Sequence, residues 1–113
     1  MLKAKIHGAT VTECDLKYEG SIGIDADLLK AAGIHPFEKV DIYNITNGER
    51  LTTYAINAKA GSGYIGLNGA AARKACKGDK IIICAYCDLP SERVATHEPT
   101  ILLMDKDNAI KKS

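Results

Sequence analysis

Short runs of β-favouring residues, separated every few positions by turn residues, constrain this chain more than any other feature. Leu2 to Ile6 alternates apolar with basic residues. Val11, Ser21 to Ile24, Val40 to Ile45, Arg50 to Ile56, Tyr64 to Leu67, Lys80 to Cys87 and Thr100 to Met104 also suit strands. Asn47-Gly48 is the clearest turn: both residues tolerate positive φ, and it joins Val40-Asp41-Ile42-Tyr43 to Leu51-Thr52-Thr53-Tyr54, which predicts a hairpin.

Two short helices are read from their ends. The first follows Asp25 as N-cap, buries Leu28, Leu29 and Ala32, and stops at Gly33 with Pro36 soon after. The second starts at Asn68 as N-cap, runs through Gly69-Ala70-Ala71-Ala72, carries Arg73, Lys74 and Lys77 near its negative end, and stops at Gly78. Many short strands with two or three small helices predict an all-β fold, a closed barrel rather than a layered α/β sheet. The chain reads as a single domain over residues 1–113, with only Asn108 to Ser113 as a fraying polar tail.

The 113 residues carry a net charge of +1, one Phe and no Trp, which leaves neither a basic footprint nor a base-stacking platform; no nucleic-acid partner is expected. The start runs into polar residues, and no apolar stretch approaches the roughly 20 residues that span a bilayer, so a cytoplasmic protein without a membrane partner is expected. A core this small gains from oligomerisation. Cys84 and Cys87 form a C-x-x-C pair, but Cys14 and Cys76 stand alone and His7, His35 and His97 are scattered. The cysteines are read as small buried thiols in a reducing compartment, with no metal site.

Chemistry concentrates in three places. Tyr18-Glu19-Gly20-Ser21 holds a Gly-Ser pair that alone marks an ordinary turn. At Asn68 to Ala72, the first-turn amides, with only Gly and Ala beside them, are open to a carboxylate, or the small residues simply allow close packing. Arg50 is either a solvated charge or a planar fork for a carboxylate. Alternation puts Arg50, Thr52 and Tyr54 on one face and Thr53 on the other, so a pocket shared by all of them requires a bulge or a neighbouring subunit.

In order and spacing, Lys5-Ile6-His7, Tyr18-Glu19-Gly20-Ser21, Ile24-Asp25, Ala31-Ala32-Gly33-Ile34, Asn47-Gly48-Glu49-Arg50, Thr53-Tyr54-Ala55-Ile56, Asn68-Gly69-Ala70-Ala71-Ala72 and Gly78-Asp79 resemble the aspartate 1-decarboxylase family from about Met1 to Met104. Two departures are Gly8, where the family usually has Arg, and Ile22, where Cys is frequent.

The resemblance implies a double-psi β-barrel assembled as a homotetramer, with each active site between subunits. It implies self-cleavage between Gly20 and Ser21 into a β chain, residues 1–20, and an α chain, residues 21–113. Ser21 would become a pyruvoyl group, the one cofactor, which forms a Schiff base with L-aspartate and yields β-alanine for pantothenate. Thr53 is the implied oxyanion donor and Tyr54 the proton donor, while Arg50, Lys5 and the amides of Gly69, Ala70 and Ala71 anchor substrate. Asn68 combines capping with an active-site hydrogen bond, Tyr18 positions the loop, and His7 is structural or at a subunit contact. Tyr43 and Tyr86 read as barrel packing. Whether cleavage is spontaneous or needs a maturation factor stays open. So do three rivals: a related lyase for another small amino acid, a non-catalytic barrel module with Gly20-Ser21 as a plain turn, and a DNA-binding barrel, the last weakened by the charge balance.

Overall fold

Strand β1, Leu2–Thr10, shows how the sequence sets the packing. Ala4 and Ile6 are buried while Lys3, Lys5 and His7 lie on the other face, and then the parity changes so that Ala9 and, beyond the strand, Val11 are buried. The change coincides with a register shift against the neighbouring strand between His7 and Ala9, where Gly8 takes φ 82°. One extra residue there rotates the strand by one face. Gly8 supplies this bulge without the strain a side chain would add.

The computed structural model describes residues 1–111. After β1 come β2 (Glu13–Asp15), β3 (Ile22–Asp25), helix α1 (Ala26–Ala32), β4 (Lys39–Asn44), β5 (Arg50–Ala58), β6 (Ile65–Asn68), β7 (Lys80–Tyr86) and β8 (Thr100–Leu103). Two 3-10 segments, Gly69–Lys74 and Ser91–Thr96, complete the order. The strands hydrogen-bond in the sequence β2-β6-β3-β5-β4-β7-β1-β8. Because β1 runs directly into β2, pairing with β7 along one stretch and with β6 along the next closes a ring. The fold is the all-β barrel expected, with β8 added in parallel outside β1. Ile6, Ile22, Ile24, Ile42, Ile65, Leu67, Ile81 and Ile83 fill its interior with no exposed surface. Burial of each such side chain contributes about 2 kcal/mol.

The Asn47-Gly48 hairpin forms between β4 and β5, whose unbroken register runs from Lys39↔Tyr54 to Tyr43↔Arg50. Its loop is longer than two residues, and Gly48 alone of the pair takes positive φ, 79°. Asn44 holds the tip: its Oδ1 accepts from the amides of Thr46 and Asn47, and its Nδ2 donates to the Lys74 carbonyl and to Asp79. The hairpin tip is thereby tied to the end of the Gly69–Lys74 segment. Helix α1 matches its reading closely, with Asp25 accepting from the Asp27 amide at 2.8 Å and Gly33 left-handed at φ 73°.

Three expectations are corrected. The second helix is a 3-10 segment that ends at Lys74 rather than Gly78, and the Asn68 side chain makes no cap. Gly69, at φ 61°, and the extended Ala75 break the α geometry at both ends. The polar tail is anchored. Asn108 is buried, donates to the carbonyls of Thr10 and Gly63, and accepts from the Thr10 amide; Met104 bridges Ile110, and only 112–113 of that segment lie outside the described residues. The cysteines are not uniformly buried, since Cys76 is exposed, while burial pushes the Cys84 thiol up. Glu13–Asp15 and Ser91–Thr96 were not anticipated, and two acidic residues in three hide a strand from propensity. No helix among the described residues is long and apolar enough to cross a membrane.

Candidate active site

Ser21 immediately precedes β3, only 3 % exposed, and adopts φ 85°. That region is costly for a residue with a Cβ, so the surrounding structure must impose it. The expected flexibility of Gly20 is also used, at φ 36°, but the strained non-glycine is Ser21 itself. On its downstream side the Ser21 carbonyl accepts from the Asn68 amide at 3.0 Å. Asn68 therefore reaches the site through its backbone.

Gly69 backs the same loop. A Cβ built on it would lie 2.9 Å from the Gly20 nitrogen and 3.1 Å from the Tyr18 carbonyl oxygen, and its φ is 61°. Both the contact and the dihedral require glycine there. The segment is a 3-10 rather than an α-helix, and Ala70 and Ala71 line the cavity onto which Ser21 opens.

Ser21 and Gly20 open onto a cavity of about 300 Å³, walled by Leu51, Thr52, Thr53 and Tyr54 of β5 and by Asn68, Ala70, Ala71 and Lys74. Alternation along β5 would put Thr53 out of reach of Tyr54's pocket, and the β4–β5 ladder contains no bulge. The resolution lies in where β3 starts. It pairs with β5 only from Ala55 to Ala58, so the edge of residues 51–54 that would face β3 is open to the cavity. Residues from both faces of the strand border the cavity along that edge. The Tyr54 hydroxyl would stand 3.4 Å from a Cβ built on Gly20, which puts it against the Gly20-Ser21 bond. Tyr18 flanks a neighbouring cavity that also touches Ser21 and Tyr54.

Arg50, Lys5 and His7 do not line either cavity. The Arg50 guanidinium lies 4.5 Å over the Tyr43 ring, and the Tyr43 hydroxyl is 2.8 Å from that of Tyr86. Lys5 stands opposite Cys84, two residues from Tyr86. His7 sits opposite Ile82 on β7 and Leu103 on β8, its buried Nδ1 without a hydrogen-bond partner. Ser21 on one side, and Arg50 and Lys5 on the other, thus lie in separate parts of the chain's surface. Among the described residues neither Arg50 nor Lys5 has a carboxylate partner.

Lys74 was missed as a cavity residue; in the sequence it reads only as a charge near a helix end. Its ammonium is paired with Glu49 at 2.8 Å, a contact made by the hairpin tip folding over the 3-10 segment. No local pattern announces such a pair. No group of three or more His, Cys, Asp or Glu side chains among the described residues is arranged to hold a metal ion.

By its likeness to known proteins the chain is an enzyme of the carboxy-lyase class. The family model described as Aspartate decarboxylase matches residues 1–111. The chain belongs to that family. It is 58% identical over 113 residues to "Aspartate 1-decarboxylase" of Hyphomonas neptunium, covering 100% of this chain and 96% of that protein. The protein of the same name from Caulobacter vibrioides is also 58% identical, with coverage of 100% and 96%. That from Bordetella parapertussis is 57% identical over 112 residues, covering 99% and 92%.

Proposed function

We propose that this chain decarboxylates L-aspartate to β-alanine, using a pyruvoyl group that it makes from Ser21. The observation that carries the reading is the buried Ser21 at φ 85°, sharing one cavity with Tyr54 and Thr53. In the intact chain the Ser21 hydroxyl attacks the Gly20 carbonyl carbon, moving the acyl group from nitrogen to oxygen and freeing the Ser21 amine. Left-handed backbone at Ser21 raises the energy of the starting amide and so lowers the cost of leaving it. Thr53 donates to the Gly20 oxygen as negative charge develops there. Elimination of the ester releases residues 1–20 with a new carboxylate at Gly20, and hydrolysis of the resulting dehydroalanine releases ammonia, leaving the keto group at position 21.

The residues fit that group: a small cavity bordered by Thr53 and Tyr54, and no side chain of Gly69 to crowd it. The pyruvoyl group supplies the conjugated carbonyl that takes up the electron pair left when CO₂ departs. Leu51, Ala70 and Ala71 line the cavity with apolar surface, which disfavours an unpaired carboxylate relative to neutral CO₂. Tyr54 then returns a proton to the carbon. Arg50 and Lys5 hold the remaining carboxylate from a neighbouring copy, because in their own chain they stand outside the serine cavity. Ile101 and Leu103, exposed on the outer strand β8, favour assembly, and a homotetramer is the state we propose. The product's place is in supplying pantothenate synthesis in the cytoplasm.

Mass spectrometry of the denatured protein tests this. Two fragments dividing between Gly20 and Ser21 are expected, the larger without a free amino group, and Ser21→Ala should stay whole and make no β-alanine. Turnover by Ser21→Ala would overturn the proposal.

A further inference from the structure

Phe37 is a second non-glycine residue at positive φ, 70°, and it sits in the connection between α1 and β4. It is 77 % exposed, so burial does not compensate for the strain. The turn that carries it is firmly held. Glu38 donates its amide to the His35 carbonyl, and its carboxylate accepts from the His35 amide and from Lys3 at 2.9 Å. The Phe37 amide donates to the Ala55 carbonyl at 2.6 Å, and the Ala55 amide donates to the Glu38 carbonyl at 3.0 Å. Every one of these bonds uses backbone or the Glu38 side chain. Glycine or asparagine at position 37 would make the same turn with less strain.

What phenylalanine adds is its ring, and the ring's aromatic neighbour is Tyr54, with centroids 6.3 Å apart and planes inclined at 32°. That is within the range of attractive aromatic pairs. Tyr54 is itself 40 % exposed, and Ala55, next to it, is the residue that the turn grips on both sides. We infer that Phe37 is a positioning residue for Tyr54, presented on a strained and fixed turn so that its ring limits the swing of the tyrosine over Gly20 and Ser21. The inference rests on the reading of Tyr54 as proton donor. An off-position hydroxyl slows proton return to the carbon but leaves substrate capture and chain cleavage alone.

Phe37→Gly removes the ring while keeping the turn. Its thermal midpoint should equal or exceed that of the native chain, and the fraction cleaved and the assembled mass should be unchanged. Counted per cleaved chain, kcat should fall by about five- to tenfold with KM within about twofold, and Phe37→Tyr should restore it. Undiminished kcat in Phe37→Gly, or a loss of kcat that accompanies a fall in assembled mass, overturns the inference. Should the glycine variant not fold, Phe37→Asn, which also tolerates left-handed backbone, replaces it with the same criteria. Tyr54→Phe, measured alongside, separates the two readings: if it keeps full kcat the proton-donor assignment fails, whereas if it is impaired and Phe37→Gly is not, only the positioning role fails.

Discussion

The hydroxyl of Tyr43 lies 2.8 Å from that of Tyr86 while the Arg50 guanidinium rests 4.5 Å above the Tyr43 ring. The hydrogen bond to Tyr43, with burial second, holds Tyr86 well above the usual phenol range, so the Tyr86 hydroxyl keeps its proton wherever an enzyme works. The hydroxyl pair fixes the ring against which the guanidinium rests.

Tyr43→Leu removes the stack, and steady-state kinetics should show KM for aspartate raised by about tenfold, the equivalent of a cation–π contact of 1–2 kcal/mol, with kcat little changed. Tyr86→Phe breaks only the hydroxyl pair and should have a smaller effect in the same direction. Unchanged KM in Tyr43→Leu would remove the Tyr43 ring from the account of substrate binding.

The strain at Ser21 has a thermodynamic signature. Ser21→Gly permits φ 85° without a Cβ clash, so this uncleavable chain should melt roughly 4 °C above Ser21→Ala, reflecting about 1 kcal/mol. Calorimetry of the two variants decides it, and equal midpoints would mean that the serine backbone stores little.

Gly69→Ala forces a methyl group against the Gly20 nitrogen and the Tyr18 carbonyl at a positive φ. A stability loss of about 2 kcal/mol is expected, together with slower appearance of the two fragments on gels sampled over time.

Asp25 gives a pH dependence. Burial raises its carboxyl, but the amides of Gly63, Asp27 and Gly61, at 2.8, 2.8 and 3.0 Å, outweigh this and hold it below the usual carboxylate range. A depressed folded-state value contributes stability that is fully present above the unfolded value of about 3.9 and is lost as pH falls through the folded one. Asp25→Ala should be less stable than the native chain by about 2–3 kcal/mol at neutral pH, and the gap should narrow in acid. A gap that stays constant down to pH 2 in urea titrations would refute this origin.

Much of the barrel is legible because strand period, turn residues and helix caps are local signals: the hairpin at Asn47-Gly48 and the Asp25 and Gly33 ends of α1 stand where the residues put them. The serine and tyrosine of the cavity were readable from spacing, as was the need for something beyond alternation to bring Thr53 beside Tyr54. The open edge of β5 that achieves this was not, because it depends on where β3 begins to pair. Likewise Asn108 looks like tail residue until its amide is seen clasping Thr10 and Gly63, and Phe37 gives no sign of its backbone, since preferences at left-handed positions favour glycine and asparagine. Contacts between distant segments leave no periodic trace.

The closure of the ring through β1 and β2 has a consequence for a chain cut, as proposed, between Gly20 and Ser21. Residues 1–20 contain both strands, and β1 is zipped to β7 on one side and β8 on the other while β2 lies along β6. The short piece of such a chain would therefore stay woven into the long one, and its release would require the barrel to come apart. Once denatured, the two pieces must find each other again by diffusion, so recovery of the mature form should become second order in protein, whereas the uncut chain refolds its barrel as a unimolecular event.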